Sequence, residues 1–140
     1  METPDKIYLS WSGVEEYIYA IEKWVLLNKN LKYVTGPARG GLIPAVLLSH
    51  KLGIEFLSVE DAMMLKEDIR AKTLLIDDIC DSGQTFVDFH YCGFTTASLL
   101  WRTNSKYIPE YYAESINSNA WIVFPWENKD SETIQDYLKK

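Results

Sequence analysis

The chain has 140 residues, is 47% hydrophobic and 24% charged, and carries a net charge of −6. This is the composition of a globular chain with material for a real core, so disorder is excluded and one domain spanning 1–140 is expected. The acidic balance and lack of a basic block argue against a nucleic-acid partner, and no apolar run approaches the roughly 20 residues that would imply a membrane one.

Taken in chain order, "SWSGVEEYIYAIEKWVLLNKN" predicts an amphipathic helix. Ser10 or Ser12 caps it, and Val14, Tyr17, Ile18, Ile21, Trp24 and Val25 fall on one face. "LKYVTG" reads as a short strand, "PARGG" as a loop, and "LIPAVLLSHKLG" as a helix with Pro44 in its first turn and Gly53 as its stop. "IEFLSV" is the next strand, while "EDAMMLKEDIRAK" is polar and predicts a loop with a helical turn. "TLLIDD" is the clearest strand, followed by a turn and helix in "SGQTFVDFHYCG". "FTTASLLW" and "AWIVFPW" are further strands, and "SETIQDYLKK" predicts a short closing helix.

Strands alternating with helices imply a parallel α/β sheet, whose ligands bind beyond the carboxyl ends of the strands. "PARGG" and "DDICDSGQT" both lie there, so the two most unusual loops are expected to share one sheet edge. Cys80 and Cys92 lack zinc-type spacing, and the N-terminal stretch has no apolar signal core. A reduced, cytoplasmic protein is the corresponding expectation.

Ser82, Gly83, Gln84 and Thr85 open a helix, where free N–H groups, the dipole and two hydroxyls suit a phosphate. A plain capped helix start explains the same four residues equally well. The adjacent acids Asp77 and Asp78 alter that balance. Side by side at a strand end they repel unless a ribose diol, a hydrated Mg²⁺ or a nearby base satisfies them. A sugar phosphate meets both demands, with its diol on the acids and its phosphate on the turn. "GPARGG" adds a fixed charge in Arg39 and, in Gly40 and Gly41, backbone that can approach an anion closely. Neither the P-loop nor the dinucleotide fingerprint is present.

With these residues in view, "TLLIDDICDSGQT" closely resembles the phosphoribosyl pyrophosphate (PRPP) motif of type I phosphoribosyltransferases. "ARGGLIPAVLLSHKLG" resembles the pyrophosphate loop and following helix of that family, and "YIPEYYAESINSNAWIVFPWE" the base-binding segment of its 6-oxopurine branch. The resemblance runs from about Tyr33 to Glu127. It implies a Rossmann-like, three-layer α/β fold: a mainly parallel central sheet flanked by helices, with a reduced hood and flexible loop.

It further implies that Asp77 and Asp78 hold the ribose hydroxyls, directly or through Mg²⁺. Ser82, Gly83, Gln84 and Thr85 would bind the 5′-phosphate, and Ala38, Arg39, Gly40 and Gly41 the pyrophosphate. Asp81 matches the acid that faces N7 of the purine and is the candidate catalytic residue. Arg102 falls where relatives often carry a lysine to the 6-oxo group, and Trp121 and Ile122 match positions lining the base. Core packing is the competing explanation for Trp121, Phe124 and Trp126. The implied activity is Mg²⁺-dependent purine salvage: PRPP and guanine, xanthine or hypoxanthine give a nucleoside monophosphate and pyrophosphate. A homodimer or homotetramer is the implied assembly.

The chain departs from the family pattern at "VEDAMMLKEDIRAK", which is short and lacks the Ser–Tyr pair of a closing loop. Pro37 before Ala38 is a second departure. A PRPP- or nucleotide-sensing protein with little catalysis is therefore the alternative reading. A pyrimidine acceptor also stays open, since one residue can change base choice.

Overall fold

The computed structural model describes residues 5–128. Twelve elements follow in order: β1 (Lys6–Tyr8), α1 (Trp11–Asn28), β2 (Tyr33–Thr35), α2 (Leu42–Leu52), β3 (Glu55–Phe56), α3 (Val59–Met63), α4 (Glu67–Arg70), β4 (Thr73–Cys80), α5 (Gln84–Tyr91), β5 (Thr95–Arg102), β6 (Tyr111–Ile116) and β7 (Trp121–Val123). The closing helix expected in "SETIQDYLKK" lies outside the described residues.

Five strands form a parallel sheet in the order β3-β2-β4-β5-β6. At its centre Leu74, Leu75 and Ile76 of β4 are all fully buried. An unbroken apolar run of this kind belongs to a strand covered on both faces. Leu74 and Ile76 pack into the cluster built with α1 and α2, whereas Leu75 joins Ala62, Cys80, Phe86 and Phe94 on the opposite face. The result is the expected three-layer α/β fold with a mainly parallel sheet.

Helix α1 follows from its sequence. The Ser10 side chain accepts the Gly13 N–H at 3.1 Å, and Val14, Ile18, Ile21 and Val25 bury one stripe. Tyr17 donates to Glu114, Lys29 pairs with Glu110 at 2.6 Å, and Trp24 stacks on Tyr111 at 5.0 Å, so the helix is fastened to the β6 side of the sheet. Helix α2 ends on Gly53 in the left-handed conformation (φ 67°), as its place in the sequence requires.

Several elements differ from the sequence expectation, and the strand expected in "IEFLSV" is confined to Glu55–Phe56, with Ser58 capping α3. β1 pairs in parallel with β7, Lys6 opposite Trp121, in a small two-stranded sheet. β6 takes an edge of the main sheet, although "YYAESI" carries no clean alternation. The segment expected as a loop with a helical turn folds into two short helices, α3 and α4. Arg70 ties it down, donating from Nε to the Cys92 carbonyl at 2.7 Å and from Nη1 to the Leu65 carbonyl at 3.0 Å. Thr73 donates to the Ile69 carbonyl at 2.8 Å, and Ala62 is fully buried. The expected reduction of the flexible loop is thus present as a packed helical pair. Among the described residues no helix is long and apolar enough to cross a membrane.

Candidate active site

The parallel pairing of β2 with β4 places the 36–41 and 77–85 segments side by side at one sheet edge. Their contact is intimate. A β-carbon on Gly36 or Gly41 would lie 2.9 Å or 2.7 Å from the Ile76 carbonyl oxygen, and one on Gly40 would lie 2.1 Å from Asp78 Oδ2. At Gly36 and Gly41 a β-carbon would strike backbone, of β4 and of the loop itself, so glycine is required there, whereas at Gly40 it would strike the Asp78 carboxylate. The Ala38–Arg39 peptide is cis, and both residues are exposed on the loop. Gly41 precedes α2, so the anion-binding end of that helix opens onto the same edge.

Asp77 and Asp78 belong to β4 itself, which runs two residues beyond the predicted end to Cys80. Asp77 Oδ1 accepts the Asp78 N–H and Asp78 Oδ1 accepts the Ile79 N–H, both at 2.8 Å. Burial pushes the Asp78 carboxyl up to about 6; bonds from Asp77 and Ile79 offset part of the rise, and the nearby Glu127 charge adds to it. Glu127 is itself placed by accepting the Phe124 N–H at 2.8 Å.

Beyond β4 the chain bends through Asp81 and Ser82 and turns at Gly83, whose φ of 90° is left-handed. Ser82 Oγ accepts the Gln84 N–H at 3.3 Å, and Thr85 sits in the first turn of α5. Asp81 is held from the neighbouring strand. Arg102, the last residue of β5 and only 8% exposed, donates from Nε to Asp81 Oδ1 at 2.8 Å. Its Nη1 reaches the Ser118 carbonyl at 2.5 Å and its Nη2 the Ala120 carbonyl at 3.1 Å. The guanidinium therefore joins the β4 end, the β5 end and the segment before β7.

A cleft of about 500 Å³ opens beside this pair, lined by Asp81, Ser82, Arg102, Asn104, Lys106, Asn119 and Trp121. Four of these were candidates in the sequence. Trp121 faces the cleft from β7, while Ile122, 6% exposed, turns its side chain into the core. Phe124 is buried and stacks on Trp126 at 4.9 Å, so core packing accounts for those two. Trp11 meets Trp126 and Trp101 meets Tyr112 within the chain.

Asn104, Lys106 and Asn119 were missed by the sequence reading. They come from polar loops with no periodic pattern to mark them. The 38–41 loop does not line this cleft; it borders Asp78 instead. The site is thus a row, with the arginine loop at one end, the Asp77–Asp78 pair in the middle, and the Asp81–Arg102 cleft at the other.

The donor set bears on the implied Mg²⁺. Among the described residues no group of three or more His, Cys, Asp or Glu side chains gathers to hold an ion. Asp77 and Asp78 together offer two carboxylates. Mg²⁺ usually takes one or two protein carboxylates and completes its shell with water and substrate phosphates. The pair fits an ion that arrives with a phosphorylated substrate.

Comparison with known proteins bears on the fold as a whole. No protein-family model matches the chain. It is 23% identical over 137 residues to a xanthine-guanine phosphoribosyltransferase of Vibrio parahaemolyticus, covering 87% of this chain and 89% of that protein. Among solved structures it resembles a purine phosphoribosyltransferase from Pyrococcus horikoshii, with a TM-score of 0.74, 29% identity, and coverage of 94% and 99%. A protein of Neisseria gonorrhoeae, solved with bound ppGpp, superimposes with a TM-score of 0.73 at 21% identity, covering 93% of each chain.

Proposed function

From a chain that has the fold of the type I phosphoribosyltransferases and resembles their 6-oxopurine branch, we propose an enzyme of purine salvage. It transfers the phosphoribosyl group of PRPP to guanine, xanthine or hypoxanthine, giving the nucleoside 5′-monophosphate and pyrophosphate. The observation that carries this reading is the single cleft holding Asp81, Ser82, Arg102 and Trp121, beside Asp77 and Asp78. A PRPP-only site has no use for an aromatic wall and a paired carboxylate facing it.

Each residue then has a task. Trp121 stacks on the base. Arg102 directs its remaining N–H groups at the 6-oxo oxygen and fixes Asp81 through Oδ1. Asp81 presents its other oxygen toward N7 and takes the proton as the base becomes a nucleophile. The 82–85 turn seats the 5′-phosphate, and Asp77 with Asp78 orient the ribose diol. The Ala38–Gly41 loop, with the Arg39 charge, receives the departing pyrophosphate. Ile122 contributes backbone to the base wall while its side chain anchors β7. Mg²⁺, when bound with PRPP at Asp77 and Asp78, supplies charge neutralisation of the pyrophosphate. The anomeric C–O bond breaks as the purine nitrogen bonds to the same carbon, so the oxocarbenium charge is brief.

A regulatory reading has one observation in its favour. The 59–70 segment is a packed helical pair where a closing loop is expected, so its cover over the intermediate is reduced. The ppGpp held by the Neisseria gonorrhoeae protein fits the same idea for that fold. Incubation with PRPP, Mg²⁺ and each of guanine, xanthine, hypoxanthine, adenine and uracil separates the two readings. Monophosphate from a 6-oxopurine supports the enzyme; nucleotide binding without product from any base overturns it in favour of the sensor. Product with uracil alone assigns the site to a pyrimidine.

A further inference from the structure

We propose that Lys106 is the cation of the 5′-phosphate subsite, delivered to the phosphate turn from the loop after β5. This inference rests on the phosphoribosyl reading of the cleft. The turn itself, Ser82, Gly83, Gln84 and Thr85, contributes hydroxyls and backbone N–H groups but no positive side chain. A phosphate monoester carries close to two negative charges at neutral pH, and charge-assisted hydrogen bonds hold it best.

The backbone brings Lys106 to that turn. Its N–H donates to the Ser82 carbonyl at 3.1 Å. Its neighbours close over Gly83, where a β-carbon would lie 2.7 Å from Ser105 Oγ and 2.8 Å from the Tyr107 nitrogen. The two segments are in van der Waals contact, which is why the turn requires glycine here. The loop is also fixed from behind. The Tyr107 ring stacks on Phe86 at 5.7 Å, its hydroxyl bonds to Thr96 Oγ1 at 2.9 Å, and its carbonyl accepts Trp101 Nε1 at 3.1 Å.

The side chain is aimed as well as placed. Lys106 Nζ donates to Gln84 Oε1, and Gln84 Nε2 donates to Asp88 Oδ1 at 3.2 Å. Asp88 lies one helical turn on from Gln84, so it orients the amide with its carbonyl toward the ammonium. That sets the ammonium at the start of α5, on the cleft wall shared with Ser82 and Asp81. An ammonium has three N–H donors, and the neutral amide engages one of them. Asp81 is occupied by Arg102, and the pyrophosphate loop faces Asp78 elsewhere in the row. The phosphate turn is the anion subsite within reach.

The test is equilibrium binding of GMP and of guanosine, followed by calorimetry or Trp fluorescence, to wild type, Lys106→Met and Lys106→Arg. Lys106 is exposed, so both variants are expected to keep the wild-type melting temperature. Lys106→Met is expected to weaken GMP by about tenfold or more while guanosine stays within about twofold, and Lys106→Arg to restore most of the loss. Equal losses for GMP and guanosine, or unchanged GMP affinity in Lys106→Met, overturn the assignment while leaving the enzyme reading intact. Wild type that binds neither compound is titrated with IMP and XMP, and binding of none of the three monophosphates overturns the phosphoribosyl reading, and this inference with it.

Discussion

Gly40 lies so close to Asp78 that a β-carbon at position 40 would stand 2.1 Å from the carboxylate Oδ2. The loop that carries Arg39 is therefore seated against the Asp78 carboxylate of the strand that carries the acidic pair. Gly40→Ala must displace the carboxylate or lift the loop. KM for PRPP is expected to rise about tenfold or more, and by more than the Kd of a nucleoside monophosphate, which meets Asp78 through its ribose but lacks the pyrophosphate. Steady-state kinetics and monophosphate titration together check this. An unchanged KM contradicts the proposed seating.

Asp78 makes stability and function pull in opposite directions. Its carboxyl sits at about 6 against an ordinary 3.8, raised chiefly by burial. The folded state thus holds this proton more tightly than the unfolded chain does. That contribution to stability is fully present below about pH 4 and is lost as pH rises through about 6. Asp78→Asn is expected to gain roughly 2 kcal/mol at pH 7.5, or about 5 °C in melting temperature. The gain should shrink toward pH 4, and the same variant should lose PRPP binding. For wild type, affinity for Mg²⁺-PRPP should rise with pH through about 6, as the carboxylate forms. Thermal melts from pH 4 to 8 and PRPP titrations over the same range measure both; a destabilised Asp78→Asn at pH 7.5 contradicts the account.

The Arg102–Asp81 pair separates positioning from proton transfer. Asp81→Asn keeps the size and one acceptor oxygen for Arg102 but removes the base. Its rate is expected to fall by about 100-fold or more, with monophosphate affinity within a few-fold of wild type. Arg102→Ala should be worse for folding, since it frees Asp81 and leaves the Ser118 and Ala120 carbonyls without their donor. A loss of about 2 to 4 kcal/mol is expected by thermal or denaturant unfolding. Equal losses of rate and affinity in Asp81→Asn reassign that residue to binding.

The packed α3–α4 pair has a kinetic consequence. Arg70 and Ala62 anchor it to the body of the fold, and on the proposed reading a segment held there would not close over bound PRPP to exclude water. Slow release of pyrophosphate from PRPP without any base is expected, at a rate measurable against the full reaction. Coupled pyrophosphate detection checks this. Complete absence of base-independent release shows that something else shields the site.

Much of this was legible in the sequence because it rests on local patterns. The apolar run before Asp77 announced a strand covered on both faces, and β2, β4 and their loops met at one edge as parallel pairing requires. Gly53 and Ser10 marked helix ends by chemistry that acts within a few residues. What escaped depends on distant partners. β1 exists because Lys6–Tyr8 finds β7, more than a hundred residues away, and nothing in "KIY" signals it. The 59–70 helices depend on Arg70 reaching the Cys92 carbonyl. Lys106 reaches the phosphate turn through the packing of Gly83 under Ser105 and Tyr107, contacts more than twenty residues apart in the chain.

The central claim is phosphoribosyl transfer to a 6-oxopurine, and product stoichiometry tests it most directly. Protein mixed with Mg²⁺-PRPP and guanine, xanthine or hypoxanthine is sampled for both nucleoside monophosphate and pyrophosphate, with Asp81→Asn as the control. The account predicts one monophosphate per pyrophosphate above the base-free rate for at least one of the three, and near-complete loss in Asp81→Asn. Pyrophosphate release that no 6-oxopurine accelerates, with no monophosphate formed, contradicts it.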